Sequence, residues 1–92
     1  MIISYYVYVL YSKKLDKFYI GYAKHLKERL IEHKTGNIYT TYRMPDLKLV
    51  YYEVCLLKQD AIARERQLKT GYGRQYLRNR LKNYLININE GV

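Results

Sequence analysis

The chain opens on a dense run of aromatic and aliphatic positions in which valine and tyrosine interleave. Residues 4–11, SYYVYVLY, are aromatic and β-branched, with Val7 and Val9 interleaved by Tyr6, Tyr8 and Leu10. Such a run predicts a strand. The polar SKKLDK that follows is short enough for a hairpin loop. Residues 17–22, KFYIGY, then predict a second strand antiparallel to the first. The period lengthens over 25–35, where Leu26, Leu30 and Ile31 form the stripe of a first helix and Gly36 supplies its stop.

A polar loop, NIYTTYRMPD at 37–46, holds the only proline. KLVYYEVCLL at 48–57 predicts a third strand. QDAIARERQLKT predicts a second helix over 59–70, with Asp60 suited to its first turn. Gly71-Tyr72-Gly73 predicts a break, and 74–86 a third helix with Leu77, Leu81, Tyr84 and Leu85 on one face. The order β-β-α-β-α-α implies an α+β fold, an α/β sandwich. Its small three-stranded sheet is mostly antiparallel and flanked by three helices.

One position breaks the pattern of the second helix. Glu65 shares a face with Ala61, Ile62 and Leu68, whereas Arg64, Arg66 and Lys69 are expected to point away. A carboxylate turned toward a core is costly unless it is paired or binds a cation. Two readings follow: a salt bridge to a nearby base, or a metal ligand or acid/base group at the rim of the core. The first helix shows a similar split. Arg29 and His33 lie one turn apart and can converge on one target, or pair with Glu28 and Glu32 on the surface.

Length and composition narrow the function. The 92 residues allow one modest core, so a single domain over 1–92 is expected, with its core at about 4–85. A hydrophobic fraction of 49% favours folding over disorder. Seventeen Lys+Arg against 8 Asp+Glu give a charge of +9, the balance of a nucleic-acid binder. Arg74, Arg78 and Lys82 recur at i, i+4, i+8, with Arg80 and Lys69 nearby, a row able to follow a phosphate backbone without reading bases. The single cysteine, Cys55, excludes a disulfide framework and fits a small hydrophobe in a reducing cytoplasm. No apolar run reaches the length of a membrane span, and no secretory leader precedes the first strand.

The ordered set Tyr6-Val7-Tyr8, Tyr19-Ile20-Gly21, Arg29, His33 and Glu65 resembles the GIY-YIG nuclease superfamily, in particular its small stand-alone bacterial members. The YIG half is intact. The GIY half reads YVY, so only its tyrosine, Tyr8, is matched. The resemblance implies hydrolysis of phosphodiester bonds in nucleic acid with one divalent metal, Mg or Mn. DNA is the expected substrate rather than RNA, with preference for branched, damaged or nicked structure over sequence. By the same resemblance Glu65 is the metal ligand and Arg29 the catalytic arginine that meets negative charge on the phosphate. His33 orients or deprotonates a tyrosine or contacts phosphate. Tyr8 or Tyr19 is the general base or water positioner. Asn79, with Asn83 as a rival, is carried over as a residue that fixes substrate or water; where some members have a lysine just after YIG this chain has Tyr22, and Lys24 stands two residues on. Lys24, Lys69, Arg74, Arg78 and Lys82 are the expected nucleic-acid contacts. Specificity is left to a homodimer or a partner protein. The alternative is a non-catalytic nucleic-acid-binding module that retains the nuclease fold.

Overall fold

A computed structural model describes residues 3–35 and 46–89. The Gly36 stop and all but the last residue of the 37–46 loop lie outside the described residues. The elements are β1 (Tyr5–Ser12), β2 (Lys17–Ala23), α1 (Leu26–Lys34), β3 (Lys48–Cys55), α2 (Lys58–Leu68), α3 (Gly71–Arg80) and α4 (Lys82–Asn89). The fold is α+β. Its sheet is antiparallel throughout, in the order β2-β1-β3, so the first strand is central. A central strand is covered on both faces, and β1 is buried from Val7 to Ser12.

Strand pairing assigns the two faces. Val7 lies opposite Tyr22, and Val9 opposite Ile20 and Tyr51. This face packs on Ala61 and Leu68 of α2 and Leu77 of α3, which together form the core. The opposite face carries Tyr8, paired with Gly21 on one side and Tyr52 on the other, and Leu10, paired with Tyr19. Helix α1 covers part of it, since His33 reaches both Tyr8 and Tyr19.

The hairpin is locked by its own polar groups. Asp16 has φ 51°, which aspartate tolerates. Tyr11 donates to its carboxylate at 2.6 Å, and Arg78 of α3 reaches it at 3.2 Å. Asp46 accepts from the Ser12 hydroxyl at 2.8 Å and the Lys14 amide at 2.9 Å.

The sequence pattern is corrected in three places. Four helices replace three: the predicted helix over 74–86 is two helices that meet at Leu81, where φ −107° and ψ 16° end α3. The expected break after α2 is present but falls at Lys69 and Thr70, and the glycine pair lies in the first turn of α3, which begins at Gly71. Thr70 caps it by accepting from the Gly73 amide at 3.1 Å, and glycine is harmless in a first turn that already has a cap. Gly73 lies so close to α2 that a Cβ would meet the Gln67 carbonyl and the Leu68 backbone. Finally, Arg64 does not point away. Its guanidinium donates twice to Glu53 of β3, both bonds 2.9 Å, and stacks 4.9 Å from the Tyr76 ring. This fork ties the sheet to α2. The third strand ends at Cys55, with Leu56 and Leu57 exposed before α2.

Candidate active site

The centre of the α1 face is one hydrogen bond. The Tyr8 hydroxyl and His33 Nε2 are 2.9 Å apart, with Tyr8 1% and His33 6% exposed. Local geometry brings them together. Tyr8 pairs with Gly21, and its ring crosses that glycine so closely that a Cβ would lie 2.5 Å from the hydroxyl and 2.7 Å from Cζ. A residue with a side chain at position 21 would push the phenol off the sheet. Tyr19, two residues before Gly21 on the same face of β2, also meets the imidazole, ring to ring at 4.9 Å and edge-on. His33 thus contacts both tyrosines.

Arg29, one turn before His33, faces the same phenol. Burial pushes the Tyr8 hydroxyl above its usual range, while the Arg29 guanidinium beside it pulls the other way; the charges of Tyr19 and Glu65 add to the rise. Tyr8 in turn holds Arg29 more firmly protonated than usual. Burial pushes the His33 imidazole down, and the Arg29 charge pushes it further, against a smaller opposing effect of Glu32. At neutral pH the phenol is therefore protonated and the imidazole neutral. Arginine only donates, so the phenol oxygen accepts from Arg29, and its O–H can donate to Nε2 in the His33 tautomer that carries its proton on Nδ1. Arg29 also touches Glu32 at 3.4 Å, an exposed pair worth at most about 1 kcal/mol. The surface pairing and the convergence on Tyr8 coexist.

Glu65 comes from α2, and its charge is felt at Tyr8. Its side chain is 17% exposed, and its one ionic partner among the described residues, Lys69, stands at a loose 3.6 Å. Among the described residues no three His, Cys, Asp or Glu side chains cluster as a metal cage. A partly buried carboxylate with a weakly held cation suits a hard divalent ion that keeps most of its water. Glu65 has the chemistry of a residue that could hold one.

The remaining sequence candidates are more dispersed. Lys24 lines a cleft of about 230 Å³ with Tyr22, Ala23, His25, Glu28, Arg29 and Glu32, so it borders the exposed side of Arg29. Asn79 is exposed on α3 and Asn83 exposed on α4. Arg74 is exposed on α3 and Lys82 on α4, so the expected ridge is interrupted at Leu81. Arg78 is engaged by Asp16 and lies 5.2 Å from the Phe18 ring. Sequence reasoning missed Tyr52, which sits opposite Tyr8 in the register and forms an edge-on pair with Tyr6 at 5.9 Å. With 13 tyrosines in the chain, only strand register could single it out. No helix among the described residues is long and apolar enough to cross a membrane.

The GIY-YIG catalytic domain family matches residues 4–82. A UPF0213 protein of Staphylococcus saprophyticus is 38% identical over 69 residues, 73% of this chain and 82% of that relative. One of Staphylococcus epidermidis is 44% identical over 59 residues, 62% of this chain and 70% of the relative. One of Staphylococcus aureus is 38% identical over 74 residues, 78% of this chain and 87% of the relative. No solved structure matches. The intact YIG with Tyr8 folded over its glycine, and the match along most of the chain, place this protein in the GIY-YIG family, whose fold is of the nuclease type.

Proposed function

We propose that this protein is an endonuclease that hydrolyses phosphodiester bonds in nucleic acid with the help of a divalent metal. Its substrate is DNA, chosen by structure rather than sequence, and the activity resides in one domain spanning the chain. The observation that carries the reading is the Tyr8–His33 hydrogen bond with Arg29 and Tyr19 beside it, to which Glu65 adds its charge from α2. A core needs no such convergence, since Val7, Val9 and Ile20 already supply the packing on the other face.

In this reading Arg29 binds the scissile phosphate. Its guanidinium stays charged and can donate to two oxygens, so it stabilises the extra negative charge of a pentavalent phosphorus. Tyr8 and His33 act as one proton-accepting unit. A free phenolate is unfavourable here because burial raises the Tyr8 pKa. The neutral His33 instead receives the phenol proton as Tyr8 takes one from the attacking water. Tyr19 keeps the imidazole in place. Glu65 would hold the divalent ion, which when bound supplies positive charge to the phosphate and leaving oxygens. Lys24, Lys69, Arg74 and Lys82 hold the backbone on either side, Arg78 adds less because Asp16 already engages it, and Asn79 contacts the strand beyond the site.

The test is a panel of duplex, single-stranded, nicked and branched DNA, with RNA counterparts, incubated with Mg²⁺, Mn²⁺ or chelator. Glu65→Ala and Arg29→Ala are each expected to lower cleavage by about 100-fold or more, with Glu65→Ala leaving affinity within a few-fold. Metal-independent cleavage, or full cleavage by Glu65→Ala, would refute the assignment. Salt-sensitive binding without cleavage by the unaltered protein would favour the binding-module alternative.

A further inference from the structure

Beside the Arg29 groove lies a larger cleft of about 550 Å³, lined by Tyr6, Lys24, His25, Leu26, Lys27, Glu28, Leu30 and Tyr52. Its volume falls within the roughly 300–1,000 Å³ of small-molecule sites. Tyr6 and Tyr52 form its aromatic wall, edge-on at 5.9 Å. Tyr52 is 52% exposed, although it lies on the α1 face of the sheet directly beside the buried Tyr8. Tyr52 and Val54, two residues apart on the same strand face, are both about half exposed, so the ring belongs to a contiguous apolar patch rather than standing alone. The rim is basic: Lys24, Lys27 and His25 against Glu28. Lys24, His25 and Glu28 also line the Arg29 groove, so the two openings are continuous. The sequence departure at the first motif supplies part of this wall, since Tyr6 stands where the family signature has glycine.

We propose that this cleft is a nucleotide subsite. It takes one unpaired nucleotide of the bound strand, the base stacked on the exposed Tyr52 ring with Tyr6 edge-on beside it, and the adjoining phosphates on Lys24 and Lys27. The chemistry is that of single-strand binding, in which aromatic faces hold unstacked bases regardless of identity and lysines neutralise the backbone. A paired base within a duplex has both faces covered and cannot use such a wall. The subsite therefore gives the preference for structure a physical origin: it selects a substrate with an unpaired nucleotide next to the scissile phosphate. This inference rests on the reading of the Arg29 groove as the phosphate site.

The experiment uses the full chain in chelator, so that nothing is cut. A DNA duplex with a short single-stranded extension carries 2-aminopurine at its first unpaired position, and a fully paired duplex serves as control. The unaltered protein is expected to quench the probe and to bind the extended substrate more tightly than the duplex. Tyr52→Leu keeps apolar bulk at a half-exposed position and removes the ring. It is expected to abolish quenching and to weaken binding to the extended substrate about 5-fold or more, while duplex affinity stays unchanged. Tyr52→Phe is expected to retain both signals. Equal quenching and affinity in Tyr52→Leu would overturn the subsite but not the nuclease reading, which is judged separately by cleavage in Arg29→Ala and Glu65→Ala. If Tyr52→Leu only converts a dimer to a monomer, with DNA signals intact, the wall is a contact between copies of the chain and the proposal fails.

Discussion

The phenol of Tyr8 lies across Gly21 on the neighbouring strand, within 2.5 Å of where a Cβ would stand. This contact explains why the motif ends in glycine: the backbone there is open enough for a tyrosine from β1 to fold flat and reach His33.

Gly21→Ala is therefore expected to displace the Tyr8 ring. Overfilling a packed site of this kind costs about 1–3 kcal/mol. Urea unfolding would report the loss, and cleavage should fall further than stability accounts for, because the 2.9 Å bond to His33 is broken. Unchanged stability and activity would mean that the ring has another place to go.

A second expectation concerns pH. His33 is buried, and its pKa is lowered first by that burial and then by Arg29. Its ordinary value is about 6.5, so the neutral form persists below that. Cleavage should hold through neutrality and decline only as pH drops through the lowered value. The same shift bears on stability. The unfolded chain binds the proton more readily, so the contribution of neutral His33 is complete above about 6.5 and is lost as pH falls. Histidine NMR titration checks the midpoint. In Arg29→Ala it should rise, yet remain below the ordinary value because burial is the larger cause. A midpoint above the ordinary value in the unaltered protein would contradict this account.

Much of the arrangement was legible in the chain because two periods carried it. The alternation at Val7, Tyr8 and Val9 separates a core face from the face that carries Tyr8, and strand pairing preserves that division. Glu65 stood out as a charge on an apolar stripe, and it is indeed partly buried. Other features were not legible because they depend on partners distant in sequence. Glu53 gave no sign that it would capture Arg64, eleven residues later and in another layer. Leu81 gave no sign of a helix end, since neither glycine nor proline marks it. Gly73 looked like a breaker, yet it serves close packing between α2 and α3. Tyr52 was one tyrosine among many until its register placed it beside Tyr8.

The Glu53–Arg64 fork yields a stability prediction. Each side chain is about a quarter exposed, and Arg64 holds the Glu53 carboxyl below its usual range. Charge-assisted bonds of this kind contribute about 1.5–3 kcal/mol. Glu53→Ala and Arg64→Ala should each destabilise by about that amount, and the double variant by less than their sum. The contribution is present above the usual glutamate range and is lost as pH falls through the lowered value. Additive losses in urea unfolding would show that the two residues act independently.

Salt dependence distinguishes the basic residues that meet phosphate from those that hold the fold. Each phosphate contact releases condensed counterions, so removing one cation lowers the slope of log affinity against log salt by about 1. Arg74 and Lys82 are exposed, on α3 and α4 respectively. Arg78 is already committed, with Asp16 at 3.2 Å and the Phe18 ring at 5.2 Å. Asp16 offsets its charge locally, so a phosphate gains less from it. Arg74→Ala and Lys82→Ala should each reduce the slope by close to one unit without altering stability. Arg78→Ala should reduce it by clearly less and loosen the hairpin by up to about 1 kcal/mol. Binding measured in chelator over a range of salt, alongside thermal unfolding, separates the two behaviours. A full-unit slope change for Arg78→Ala would show that the Asp16 contact gives way when nucleic acid arrives.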